Sequence, residues 1–198
     1  RGIIFYDSHP SEATADLTRA IELDSRNESA HYYRSSILAT AGRWKDAVAD
    51  LERAIEINPE DLRAYTALVQ LFTQRGEAEG TRMWLRRLQE ATAGWTDAGQ
   101  RAEAHLAIAD SLRDLGEVDA ALLEVDQAAH IDPHSWKIPA WRAKLHLQRG
   151  EDGAVSDECA VLARQTVTEP WQLREGRYGI LPMITWQERN LFHEALRL

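Results

Sequence analysis

Cysteine occurs once in 198 residues, at Cys159, so no internal disulfide can form and the paired-cysteine patterns of zinc or dithiol redox sites are closed. A reducing compartment such as the cytoplasm fits this usage. Basic excess is also missing. Lys and Arg number 23 against 32 Asp and Glu, giving a formal net charge of -9 and a pI near 5.3. A nucleic-acid binder needs a cationic face to neutralise phosphates, so nucleic acid is set aside and basic or neutral partners are favoured. No run approaches the roughly 20 apolar residues of a membrane helix, which argues against membrane insertion. Residues Arg1 to Tyr6 lack a signal-peptide layout.

Phosphate-cradling glycine loops, nucleophile elbows and paired zinc motifs are absent, so no catalytic residue, cofactor or metal ligand is expected and the chain reads as non-enzymatic. His130 and His134 have the four-residue spacing of helical metal ligands, but Pro133 between them ends the helix. His105 and Asp110 do not share a productive offset. Cys159 falls at a helix-packing position and reads as a buried structural thiol. The chain starts without methionine inside an apolar stretch, Ile3-Ile4-Phe5, which reads as a segment of something longer.

What is present is a period. Gly42, Gly76, Gly116 and Gly150 are spaced by 34, 40 and 34 residues, each between two helical patterns, where a residue without Cβ lets the chain leave a helix through the left-handed region. Leu38, Phe72 and Leu112 each stand four residues before a glycine. Beyond the glycines, Ala47-Leu51-Ala54, Thr81-Leu85-Leu88, Ala121-Val125-Ala128 and Val155-Cys159-Leu162 repeat offsets of four and three, which places each set on one helix face. Two copies close alike, as Ala54-Ile55-Glu56-Ile57-Asn58-Pro59 and Ala128-Ala129-His130-Ile131-Asp132-Pro133. A fainter copy lies at Ala20-Ile21-Glu22-Leu23.

A 34-residue unit with small, large, small residues on its second helix and a closing proline resembles the tetratricopeptide repeat family. The resemblance implies an all-α fold, a right-handed superhelical solenoid of antiparallel helix pairs with about four and a half repeats and a C-terminal capping segment. The expected array covers residues 1–168: a truncated 1–27, then 28–61, 62–101 with a six-residue insertion, 102–135 and 136–168. The insertion is expected to lengthen the flanking helices. Residues 169–198 break the period and are expected to form a loop and a capping helix, in which Trp171, Trp186 and Phe192 offer an interface and room for homo-oligomerisation.

In this family the leading helices carry the binding groove. The matching positions here include Tyr32, Ser36, Arg63, Thr66, Gln70, Gln74, Asp110, Arg113, Lys137 and Lys144, a polar surface of mixed charge suited to a peptide or partner helix. Chaperone-binding members clamp a C-terminal carboxylate with lysine and asparagine at positions occupied here by Tyr32, Thr66, Leu106 and Ala140, and by Ser36, Gln70, Asp110 and Lys144. That departure argues against carboxylate-clamp chaperone tails as ligands. The implied function is a protein–protein interaction scaffold or adaptor. A regulatory or substrate-recruiting domain of a larger enzyme, and a peptide-sensing regulator with a further output domain, stand as alternatives.

Overall fold

The structure is a computed structural model and describes residues 10–167. Those residues form nine α-helices and no strand: α1 (Pro10–Leu23), α2 (Glu28–Thr40), α3 (Trp44–Ile57), α4 (Leu62–Gln74), α5 (Ala78–Thr92), α6 (Ala98–Asp114), α7 (Val118–Ile131), α8 (Lys137–Arg149) and α9 (Asp152–Val167). They group into two compact bodies, one ending at Thr96 and one beginning at Asp97.

The glycine period sets the pairing. Gly42, Gly76, Gly116 and Gly150 all have φ between 70 and 78°. In the first of these turns the Arg43 amide reaches back to the Leu38 carbonyl (2.8 Å) and Gly42 to Ala39 (3.0 Å), a Schellman closure that satisfies carbonyls a helix end would leave orphaned. The same two bonds recur as Glu77 to Phe72, Glu117 to Leu112 and Glu151 to His146, each beside its glycine bond. Each turn delivers the chain straight into the second helix, so α2 packs on α3, α4 on α5, α6 on α7 and α8 on α9. The leading helices start differently. Asn27, Asp61 and Asp97 each cap one by accepting an amide hydrogen bond, from Ala30, Arg63 and Gln100.

The second-helix triads are the core: all twelve residues, Ala47 through Leu162, are at most 3% exposed. Alanine at 47, 54, 121 and 128 leaves room for a close helix approach, and Val155 is buried as completely as the smaller residues at its register. Cys159 packs with Ala143, Val155 and Leu162. Gly80 serves a close approach of another kind. A Cβ there would lie 2.3 Å from the edge of the Phe72 ring.

The insertion is divided between helix and connection. Helix α6 has 17 residues against 13 in α2, α4 and α8, while Ala93 to Asp97 link α5 to α6. Trp95 in this link is buried within the first body, its ring 6.4 Å from Tyr65 and its Nε1 donating to the Pro59 carbonyl at 3.0 Å. The expected loop and capping helix of 169–198, with Trp171, Trp186 and Phe192, lie outside the described residues.

Candidate functional site

In the first body the outward stripes of the leading helices α2 and α4 carry the expected groove residues. Tyr32, Ser36 and Thr40 follow one another at four-residue steps on α2, and Thr66, Gln70 and Gln74 do so on α4, so each set shares a helix face. Gln70 and Gln74 are exposed, and among the described residues nothing hydrogen-bonds their amides. The Thr66 hydroxyl turns back onto the Leu62 and Arg63 carbonyls, each at 3.0 Å.

Arg63 is already engaged. It donates to Asp61 Oδ1 (2.9 Å) and Glu28 Oε1 (2.8 Å), and its guanidinium stands 5.0 Å from the Tyr32 ring centroid. Asp61 is buried at the α4 cap, where desolvation alone would raise its pKa; hydrogen bonds from Arg63 and Glu28 outweigh that and hold it below the usual carboxylate range. Glu28 takes the opposite shift. Its hydrogen bond with Asp61, then burial, then the Asp61 charge raise it. Asp61 in turn raises the Arg63 pKa. The group is a locked triad, with Arg63 bridging one repeat to the next.

In the second body the charges of α6 and α8 also pair among themselves. Arg113 meets Asp110 (2.8 Å) and Asp114 (2.7 Å) and lies 5.6 Å from the Trp141 centroid, on which Lys144 also sits at 4.6 Å. Lys137 binds Glu103. Exposed pairs of this kind contribute about 0–1 kcal/mol each, so they hold the surface in register more than they stabilise the fold.

Sequence reasoning missed a second set of polar residues, placed between helices. Counting from Glu28, the fourth residue of a repeat faces the twenty-third across the helix pair. His31 Nδ1 meets Asp50 at 2.9 Å in the first complete repeat, and His105 Nδ1 meets Glu124 at 2.7 Å two repeats on. Asp110 is thus not the partner of His105. Between these repeats the same register holds Tyr65 and Trp84, edge to face at 6.5 Å. In the last one it holds Pro139 and Glu158, and burial raises the Glu158 pKa against the opposing pull of Arg142 and His146. Asp50 accepts two further bonds from Arg34, both at 2.7 Å, and Arg34 reaches Thr18 on α1 at 3.2 Å. The recurrence of His with an acid 19 residues later is the signal that could have revealed these pairs.

Among the described residues no three His, Cys, Asp or Glu side chains gather where a metal ion could sit. His130 Nδ1 is engaged with the Asp126 carbonyl at 2.8 Å. No helix of the described residues is long and apolar enough to cross a membrane.

The second helices α3 and α5 of the first body flank a cleft of about 530 Å³. Its floor is Tyr65 and Trp84; its walls carry Glu52, Glu56, Arg87 and Glu90. Trp84 is 2% exposed and its indole Nε1 has no hydrogen-bond acceptor, an omission that costs about 1–3 kcal/mol for a buried donor.

Comparison with known proteins agrees with this architecture. Models of the tetratricopeptide repeat match residues 5–61 and 38–106, together more than half of the chain. The TPR repeat-containing thioredoxin TTL4 of Arabidopsis thaliana is 29% identical over 149 residues, covering 74% of this chain but 22% of its own length. The chain therefore spans about a fifth of that curated relative. Among solved structures, PilF of Pseudomonas aeruginosa superposes with a TM-score of 0.61 at 13% identity, covering 98% of this chain and 85% of that one. YrrB, described as a TPR protein with an unusual peptide-binding site, superposes with a TM-score of 0.52 at 14% identity, covering 92% and 98%. Likeness at such identity speaks for the fold. With the glycine turns, the buried second-helix triads and the matched repeat models in agreement, the chain belongs to the tetratricopeptide repeat family.

Proposed function

We propose that the chain is a protein-interaction scaffold that holds an extended peptide or a partner helix on the leading-helix face of α2 and α4. The observation that carries this reading is the pair of polar stripes, Tyr32-Ser36-Thr40 on α2 and Thr66-Gln70-Gln74 on α4, in which the Gln70 and Gln74 amides are exposed and uncommitted. A glutamine amide both donates and accepts, as a peptide main chain requires. The Arg63 triad fixes the stripe between them. Its cation serves as a positioned edge rather than a loose anchor, because Asp61 and Glu28 already neutralise it. The Arg113, Lys137 and Lys144 set offers the corresponding face of the second body. On this reading the chain binds rather than catalyses, and a reducing compartment such as the cytoplasm suits its one buried thiol.

Peptides selected on the immobilised chain from a random display library test the proposal. The Gln70→Ala/Gln74→Ala variant should lose at least tenfold in affinity for them with its helical circular dichroism unchanged. Equal affinity would refute it. A second reading, a recruiting domain of a larger enzyme, is favoured by the thioredoxin-bearing relative, of which the matched region is 22%. The sequence of the full open reading frame decides between them: a contiguous catalytic domain supports the second.

A further inference from the structure

The face formed by α2 and α4 is specific in what it withholds. Its cations are already paired: Arg63 is bound by Asp61 and Glu28, and Arg75, directly after Gln74, is held by Glu77 at 2.7 Å and lies 4.0 Å from the Trp44 ring centroid. The residues of the two stripes are themselves uncharged. Thr40 and Thr66 in the stripes, with Thr73 beside Gln74, are exposed or half-buried, and each donates its hydroxyl proton to the carbonyl four residues back: Ser36 at 3.0 Å, Leu62 at 3.0 Å and Val69 at 2.8 Å. A hydroxyl whose proton is spent on its own helix keeps lone pairs for a visitor but has no donor to offer. With donors coming chiefly from the Gln70 and Gln74 amides, acceptor groups outnumber donor groups on this face.

We infer that the occupant of this face is an uncharged, extended segment of a partner protein, rich in asparagine and glutamine; the inference rests on the leading-helix reading and names what that face selects. An amide side chain carries two N–H donors and a carbonyl, so it can meet a threonine oxygen and a glutamine amide at once. An extended main chain adds N–H groups that a partner helix would have spent internally. A carboxylate brings only acceptors to a face of acceptors and gives up its hydration there, while a lysine or arginine meets no carboxylate that Arg63 or Arg75 has not taken. Neither charge is compensated. Since no ion pair forms between face and occupant, salt has nothing to screen.

The experiment passes a random peptide display library first over the Gln70→Ala/Gln74→Ala variant, to remove peptides that bind elsewhere, and then selects on the parent chain. Recovered peptides should be enriched in Asn and Gln and depleted in Asp, Glu, Lys and Arg relative to the input. Their affinity should change less than about twofold between about 0.05 and 0.5 M sodium chloride. Replacing one Asn of such a peptide by the isosteric Asp should weaken binding about tenfold. Thr66→Val, which keeps the shape and removes the oxygen, should weaken it at least threefold with helical circular dichroism unchanged. Recovered peptides rich in acidic or basic residues, a larger fall of affinity with salt, or an Asp or Val replacement without effect overturns the inference and leaves the leading-helix reading in place. Recovery of no peptide removes that reading and this inference with it.

Discussion

Replacing Asp50 by alanine should be among the most damaging single changes in the first body. Its carboxylate is 7% exposed and takes hydrogen bonds from His31, itself 8% exposed, and from two nitrogens of Arg34, at 22%. Truncation leaves that guanidinium without its counter-charge, and breaking a buried pair from one side costs about 3–5 kcal/mol. Arg34 retains an edge to water, so we place the loss near the lower figure, about 3 kcal/mol. For a chain of this size that corresponds to a fall in Tm of roughly 6–12 °C. Repeat arrays open in parts, so urea unfolding followed by circular dichroism should be paired with hydrogen exchange of the α2 and α3 amides. The sharper arm is the triple change His31→Tyr, Arg34→Leu, Asp50→Trp, which copies Tyr65, Leu68 and Trp84 of the next repeat. The neighbouring cleft of about 270 Å³, lined by Thr14, Thr18 and Ala49, gives the larger ring space. Exchanging a buried ion pair for apolar packing is often neutral or stabilising, so the triple variant should recover most of the loss. A cost below about 1 kcal/mol for Asp50→Ala, or a triple variant no better than the single, would refute the equivalence of the two registers.

Three further outcomes follow from individual contacts. Gly80→Ala should destabilise despite the gain of about 1 kcal/mol that alanine brings to a helix interior, because its Cβ would press on the Phe72 ring; pairing it with Phe72→Leu should restore that gain in a double-mutant cycle. Gly116→Ala, forced to hold φ at +78°, should lose about 1–2 kcal/mol, while Gly153→Ala in α9, with open space around it, should gain up to about 1 kcal/mol in the same urea titration. Burial raises the Glu158 carboxyl, so its folded form favours the proton and the parent chain loses stability as pH rises through that raised value; Glu158→Gln should be the more stable protein at pH 7, with the advantage vanishing below about pH 4.

The repeat, its turns and its core were legible because each rests on local chemistry repeated at a fixed period. Glycine at the turn and small, large, small residues on the second helix admit few other readings, and Leu51, Leu85, Val125 and Cys159 are buried where their spacing placed them. Polar pairings were less legible. Arg63 with Glu28 and Lys137 with Glu103 join residues 35 and 34 apart, about one repeat, but mixed charge on a helix face reads equally as solvated surface. His105 was weighed against Asp110 on its own helix, whereas the acid it meets, Glu124, stands on the facing helix. The cleft between α3 and α5 was hidden for a related reason: Trp84 reads as ordinary packing until Tyr65 beneath it and the carboxylates beside it are brought together by the fold.

The central claim is that the leading-helix face receives the partner. Chemical-shift mapping of the chain with a peptide selected on it tests this most directly. The account predicts shifts concentrated at Tyr32, Ser36, Thr66, Gln70 and Gln74 on α2 and α4; shifts confined to the second helices or spread evenly over the described residues would contradict it.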